Sequence, residues 1–301
     1  MEKLRNGNAV GIDLGGTRIK GTLVDLAAGR TLHQCVADTH DGRPQHWKQQ
    51  VVDMVDQLRA LSDIPVKGVG IAAPGIASPD GRTIAHMPGR MEGLEGVDWH
   101  ALLGCPVSVL NDAHAALVAE ARYGSVRGYD HALMLTLGTG VGGGLWLDGK
   151  LYRGHINRAG HVGHISIHAD SPVLGITDIP GSLESAIGDA TVAARTCNRY
   201  RNTEELVTAY RGGEPVATLA WLNSVRQLAV GISSLINAFS PEIVVLAGGI
   251  VKADDALFGP LKRFMEQVEW QPFGGAVPIQ KAHFEDWAGA MGAAAYLSMD
   301  N

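Results

Sequence analysis

The stretch Ala9-Val10-Gly11-Ile12-Asp13-Leu14-Gly15-Gly16-Thr17, followed by Ile19 to Val24, reads as a buried strand, a glycine-lined bend and a second strand. Leu26-Ala27-Ala28-Gly29 then supplies a turn and Thr31 to Val36 a third strand. The same grammar returns further along. His131 to Leu137 is a strand, Gly138-Thr139-Gly140 interrupts it, Gly143 to Leu147 resumes it, and Asp148-Gly149 turns into Leu151-Tyr152. Aligning Leu14-Gly15 with Leu137-Gly138 lays one strand–glycine–strand–turn–strand unit over the other, and a repeated supersecondary unit predicts a duplicated, two-domain architecture.

Each hairpin is followed by alternating helix and strand. Pro44 to Leu61 carries Trp47, Val51, Val52, Met54, Val55, Leu58 and Leu61 at helical spacing, an apolar stripe for one face of a sheet. Val66 to Ala72 is nearly continuous in apolar residues, as in a strand covered on both sides. Val107 to Leu110 is the next strand, and Asp112 to Arg122 an alanine-rich helix closed by Gly124, in the position where a left-handed residue commonly ends a helix. Trp221 to Phe239 is a long helix, Glu242 to Ala247 a strand ending at Gly248-Gly249, and Ala288 to Leu297 a helix of small residues. Hairpins first and strand–helix units after, in duplicate, give an α/β fold with mixed sheets.

Composition narrows the function. The chain has 301 residues, enough for two domains with sizeable cores. It holds 25 Lys and Arg against 31 Asp and Glu, a formal charge of −6, which offers no electrostatic footprint for nucleic acid. The three cysteines, Cys35, Cys105 and Cys197, lie far apart, which argues against a thiolate zinc finger or a disulfide framework and for a reducing cytoplasm. Met1 to Asn8 has no apolar core, so no signal peptide is expected. No run of about 18 apolar residues exists to span a membrane.

With 39 glycines, their placement becomes the question. Gly138-Thr139-Gly140-Val141-Gly142-Gly143 fits G-x-G-x-x-G, but a dinucleotide site needs a helix after the third glycine, and a strand and the Asp148-Gly149 turn follow instead. Gly16 to Gly21 has the spacing of a P-loop, with Thr22 where the lysine belongs. Two readings of the bends remain: tight turns only, or turns whose backbone N–H groups approach an anion closely, with Thr17 and Thr139 adding hydroxyls. Asn111-Asp112 likewise reads as a helix cap, or as a carboxylate at the edge of a sheet that accepts a proton from a substrate hydroxyl; the two can coexist. His155, His161, His164 and His168 are dense. The glycines between them and the strand-like Ile165-Ser166-Ile167 keep them off one helical face, so hydrogen bonding to a polyhydroxy substrate is expected rather than a protein-held metal.

The motifs, in order, resemble a known family: Asp13-Leu14-Gly15-Gly16-Thr17, Leu110-Asn111-Asp112-Ala113, Gly138-Thr139-Gly140-Val141-Gly142, Ala159-Gly160-His161-Val162-Gly163-His164, Gly181-Ser182-Leu183-Glu184 and Leu246-Ala247-Gly248-Gly249. Together they resemble the ROK family (repressors, uncharacterised reading frames and kinases) of the actin-like ATPase superfamily, chiefly bacterial glucokinases and related hexose kinases. The resemblance implies a duplicated actin-like ATPase (ribonuclease H-like) fold, two domains with a cleft between them. Residues 1–112 with a C-terminal helix at about 285–301 would form one domain, and 113–284 the other. It implies ATP and Mg²⁺ as cofactors, a sugar as substrate, and a cytoplasmic homodimer with no nucleic-acid or membrane partner. Asp13, Gly15, Gly16 and Thr17 would form the phosphate-1 loop, with Asp13 near Mg²⁺. Gly138, Thr139 and Gly140 would form phosphate-2, and Gly248 and Gly249 would flank adenosine. Asp112 would be the catalytic base, with Asn111, His164 and Glu184 as sugar ligands and the loop at Pro74-Gly75 lining the sugar pocket.

Three departures stand out. The family's C-x-C-G-x-x-G-C zinc motif is replaced by Leu174-Gly175-Ile176 through Gly181-Ser182, so no structural zinc is expected, and Val173, Leu174 and Ile176 would hold that loop by packing. The family's Gly-Glu-x-Gly-His appears as Gly160-His161-Val162-Gly163-His164, exchanging a carboxylate that only accepts for an imidazole that can donate; His161 joins the candidate substrate-binding set. The usual Pro-Asn is Pro88-Gly89. The expected function is ATP-dependent phosphorylation of a hexose, with an amino-, N-acetylated or otherwise substituted hexose as the alternative. A non-catalytic sugar-binding homologue or a regulator is a further reading. The family's repressors carry a winged helix-turn-helix ahead of the first hairpin, whereas here the first strand starts by residue 9.

Overall fold

A computed structural model describes residues 7–87, 89, 91–171, 174, 175 and 177–299. The N-terminal reading over residues 1–6, Pro88 of the sugar-side motif, and the expected packing of Val173 and Ile176 lie outside the described residues. The chain forms two compact units: one up to Gly128 with Leu151–Ala159 and the chain from His283 onward, the other Tyr129–Lys150 with Gly160–Ala282.

In the first unit the strands are β1 (Asn8–Leu14), β2 (Arg18–Asp25), β3 (Arg30–Asp38), β4 (Val66–Ala73), β5 (Ile76–Ala77), β6 (Ile84–His86) and β7 (Val107–Asn111). Its helices are α1 (Pro44–Ala60), α2 (Trp99–Leu103) and α3 (Asp112–Tyr123). The second unit contains β8 (Ala132–Leu137) and β9 (Val141–Leu147), with β10 (Lys150–Tyr152) on its sheet edge. The helices α4 (Leu183–Ile187), α5 (Val192–Arg195), α6 (Thr203–Arg211) and α7 (Pro215–Phe239) follow, then β11 (Ile243–Ala247), α8 (Asp255–Val268) and β12 (Ile279–Lys281). Helix α9 (Ala288–Tyr296) belongs to the first unit.

The two main sheets run β3-β2-β1-β4-β7 and β10-β9-β8-β11-β12. In the first, β1 is antiparallel to β2 and parallel to β4, which is parallel to β7. In the second, β8 is antiparallel to β9 and parallel to β11, which is parallel to β12. The order matches strand for strand, and the sense matches from β2 through β7 and from β9 through β12, as the aligned hairpins predict.

Glycine decides how close the helices of the first unit come. Gly11 and Gly70 are register partners on β1 and β4, and a Cβ added at either would collide with the backbone carbonyl of Ala290 or Ala293 on α9. Ile12, one residue on, faces the opposite side of the sheet. There its partner Gly21 leaves room for Met54 and Leu58 of α1. Trp47 and Trp99, both fully buried, fill the core beneath α1 with rings 6.1 Å apart.

The expected boundary at residue 112 is corrected by this packing. Helix α3 lies against α9 so closely that a Cβ on Gly292 would strike the Ala115 carbonyl, which ties α3 to the first unit. Leu151–Ala159 joins it too, held by Asn157, whose Nδ2 donates to the carbonyls of Ala77 at 3.0 Å and Ser78 at 2.8 Å. Helix α7 starts at Pro215 rather than Trp221: Glu214 accepts from Ala217 N as a cap and Pro215 suits the first helical position. The exposed Val216 and Leu219 hide that extension from an apolar-stripe reading. Gly124 closes α3 with φ −121°, outside the left-handed region; its smallness matters instead, since a Cβ there would collide with the Glu120 carboxylate.

Replacing Gly292 with alanine should therefore lower stability by at least about 2 kcal/mol, as expected for overpacking against backbone. Gly259→Ala in α8, where nothing lies within 4 Å of the added methyl, should raise it by up to about 1 kcal/mol through helix propensity. Thermal or urea unfolding of the two variants checks the contrast.

Candidate functional site

The candidate residues of the first unit gather at one edge of its sheet. Asp13 pairs with Ala72 across β1 and β4, and Ala73 with Asn111 across β4 and β7. The carboxyl ends of three parallel strands thus carry Asp13, the Gly75 loop and Asn111-Asp112 to the same rim, where α/β sheets place ligands. Asn111 caps α3: its Oδ1 accepts from Ala113 N at 3.0 Å and His114 N at 3.4 Å. Its Nδ2 donates to the Gly75 carbonyl at 3.0 Å, and Gly75 sits at φ +95°, a conformation that favours glycine. One Nδ2 hydrogen remains for a ligand. Asp112 opens the helix and is exposed, while the next eight residues of α3 are all buried.

Charge is crowded here. Burial pushes the Asp13 carboxyl up to about 7, with the negative charges of Asp112 and Asp286 adding to the rise and Lys20 opposing it. The Lys20 ammonium donates to the Asp286 carbonyl at 2.6 Å. Gly289, in the first turn of α9, leaves space for the Asp13 carboxylate: an added Cβ would stand 2.8 Å from Cγ and 3.0 Å from each oxygen. Carboxylates that lack sufficient positive charge suit a cation that arrives with its own phosphate ligands. No group of three or more His, Cys, Asp or Glu among the described residues could hold a metal unaided. The crowded carboxylates fit Mg²⁺, which binds through one or two carboxylates plus substrate phosphates.

The first glycine bend is held from behind. Gly15 N donates to the Arg18 carbonyl at 3.1 Å. Thr39 Oγ1 donates to the Gly15 carbonyl at 2.5 Å and Thr39 N to the Thr17 carbonyl at 2.9 Å. A trans peptide places its C=O and N–H on opposite sides, so the Gly16 N–H faces away from Thr39. Thr17 is exposed.

The second bend, in the second unit, follows the same plan with other supports. Asp189 N donates to the Gly138 carbonyl at 2.9 Å and Ala190 N to the Thr139 carbonyl at 3.0 Å. Those two peptides therefore turn the N–H groups of Thr139 and Gly140 the other way. Glu184, in the first turn of α4 behind its Ser182 cap, places Oε2 to accept from Val141 N at 3.0 Å, and a Cβ on Gly140 would run into that oxygen. His161 caps and His164 ends a short 3₁₀ turn, with their rings stacked, 6.4 Å between centroids and 9° between planes. Gly163 and Gly160 bring this segment onto β9: a Cβ on Gly163 would collide with the Val141 carbonyl, and one on Gly160 would lie 2.8 Å from Gly144 Cα. Glu184, the bend and the histidine pair thus converge at the start of β9. At the end of β11, Gly248 has φ +95° and lies against the Leu137 carbonyl, while Gly249 is exposed.

Two readings of the sequence are corrected. Ile165-Ser166-Ile167 forms only an isolated bridge, Ser166 to Ser182, flanked by Leu183 N donating to the Ile165 carbonyl and Ile167 N to the Gly181 carbonyl. Leu174 does not hold its loop by packing, since it is 58% exposed. Backbone pairing does so instead, with Leu174 bridged to Pro180 and Gly175 N donating to the Ile179 carbonyl at 2.9 Å. His155 and His168 are exposed. Lys20, Thr39, Asp286 and Gly289 were not singled out by the sequence, although Gly289 belongs to a small-residue helix that was.

A duplicated sheet whose first strand ends in a glycine bend defines the actin-like ATPase fold. Within it, the chain belongs to the ROK family, which matches residues 9–299. It is 28% identical to a glucokinase of Thermotoga maritima over 99% of this chain and 98% of that protein. It is 29% identical to an N-acetyl-D-glucosamine kinase of Pectobacterium carotovorum over 97% of this chain and 99% of that one. The crystal structure of a ROK family glucokinase from Streptomyces griseus in complex with glucose and AMPPNP superposes with a TM-score of 0.77 at 26% identity, covering 96% of this chain and 98% of that one. Among the described residues, no helix is long and apolar enough to cross a membrane.

The crowding at Asp13 makes a signed prediction. Its folded pKa, about 7, lies above the ordinary carboxylate value, so the native state holds a proton that the unfolded chain has released, and stability falls as pH rises between those two values. Asp13→Asn removes that dependence. Its advantage in thermal stability over the parent should be small near pH 4, grow up to about pH 7 and then level off, at the expense of activity. Melting curves across pH check it.

Proposed function

We propose that the chain is an ATP-dependent sugar kinase that transfers the γ-phosphoryl group of ATP to a hexose hydroxyl, with Asp112 as the general base. What carries this reading is Asp112 itself, an exposed carboxylate at the mouth of a buried helix, in the field of Asp13 and on the sheet edge that bears the first glycine bend. The kinases among its relatives support the reaction class.

In this mechanism Asp112 accepts the proton of the sugar hydroxyl as its oxygen attacks the γ-phosphorus, and ADP departs. Asn111 holds the Gly75 loop and offers its remaining N–H to the sugar. His161, His164 and Glu184 hydrogen-bond sugar hydroxyls. The outward N–H groups of the two bends, with Thr17 and Thr139, take the phosphates, and Gly248 and Gly249 flank the adenosine. Asp13 would hold Mg²⁺, which when bound offsets the charge of the phosphates.

A substituted hexose is the second reading. His161 stands where the family has a glutamate, and relatives at 29% and 28% identity are named for N-acetyl-D-glucosamine kinase and for glucokinase. ADP release measured over glucose, glucosamine, N-acetylglucosamine and N-acetylmannosamine separates the two, since a preference for unmodified glucose removes the second. Asp112→Asn should lower turnover by ~10²–10⁴-fold while AMPPNP binding persists in calorimetry. Near-normal turnover in that variant overturns Asp112 as the base.

A further inference from the structure

Thr39 follows an edge strand with no fully buried residue, since all nine positions of β3 are exposed or half-buried. Thr39 itself is completely buried, at 0% exposure, and the next residue, His40, turns the chain away at φ +49°. A polar side chain sealed at the end of an open strand must have its donors satisfied. Both of its donors serve one target: Oγ1 goes to the Gly15 carbonyl at 2.5 Å and N to the Thr17 carbonyl at 2.9 Å.

We propose that Thr39 is a positioning residue for nucleotide binding: by fixing the Gly15 and Thr17 carbonyls inward, it holds the Gly16 N–H outward, toward phosphate. The inference rests on the reading of the first bend as a phosphate loop. The hydroxyl is the part that matters, because the Gly15 carbonyl belongs to the same peptide as the Gly16 N–H. If that carbonyl is released, the peptide can rotate and present an oxygen where a phosphate needs a donor. Glycine on both sides of that peptide makes the rotation easy, so the restraint has to come from outside the bend. A β-branched residue suits the task, since χ1 is stiff and the hydroxyl stays aimed. The second bend gives independent support: there too the carbonyls before the outward N–H groups are tied back, by the amides of Asp189 and Ala190.

The test uses the full chain with Thr39→Val, which keeps shape and backbone N–H but removes the hydroxyl, and Thr39→Ser, which keeps the hydroxyl. Binding of Mg²⁺–AMPPNP is measured by calorimetry without sugar, and KM for ATP and for the best sugar of the panel by ADP release. Thr39→Val should weaken AMPPNP binding and raise KM for ATP about tenfold, the usual loss for one hydrogen bond. KM for the sugar should stay unchanged, and Thr39→Ser should remain near the parent. AMPPNP binding unaltered in Thr39→Val, equal losses for nucleotide and sugar, or loss of the fold in that variant would each overturn the role. If the parent chain binds no AMPPNP at all, the phosphate-loop reading fails first and Thr39 falls with it.

Discussion

The candidate site of the first unit depends on how closely α9 seats on the sheet. Three backbones meet where ordinary side chains would keep them apart: Gly11 and Gly70 admit the Ala290 and Ala293 carbonyls, and Gly292 admits Ala115 of α3. The spacing is set by main-chain atoms, which cannot adjust rotamers, so close packing transmits any displacement directly. Helix α3 is thereby fixed relative to the ends of β1 and β4, and Asp112 relative to Asp13. The same helix supplies Gly289, the only residue type that leaves the Asp13 carboxylate its place. A tail some 270 residues from Asp13 in sequence thus shapes the carboxylate rim.

The two glycine bends show one physical solution reached with different parts. In both, carbonyls are drawn into the protein so that amide N–H groups face out, and in both the exposed tip is a threonine. The first bend uses one threonine side chain and its own amide, from the end of β3. The second uses two amides of the turn after α4 together with the Glu184 carboxylate on Val141 N. Duplication preserved the sheet and the bend but not the brace. The brace of the second bend includes a carboxylate, and Glu184 Oε2 fixes the Val141 N–H at the start of β9.

What the sequence revealed follows the range of the forces involved. The hairpins, the strand order implied by the repeat and the Asn111 cap rest on residues a few positions apart, so patterns of apolar residues and glycine report them. Asn111-Asp112 reads in the sequence both as a cap and as a carboxylate at the sheet edge, and in the structure Asn111 is the cap while Asp112 is exposed. Thr39 was invisible, because a threonine between a strand and a turn carries no motif and its partner lies 24 residues away. Lys20 and Asp286 were hidden for the same reason at longer range. Leu174 reads as a packing residue because it is apolar, whereas backbone pairing holds its loop and leaves the side chain exposed.

The crowding of Asp13, Asp112 and Asp286 is hard to justify by stability alone. Lys20 opposes it only in part, and one carboxyl is driven far from its ordinary range. Apolar or amide residues on the same rim would fold more readily, so the repulsion is a strain localised where charge is to be received. Positive charge would relieve it, while the outward amide N–H groups of the adjacent bend suit negative charge. Under the proposed function, a polyphosphate with its divalent cation would meet both demands at once. That pairing is a stronger constraint on what this rim binds than any single residue on it.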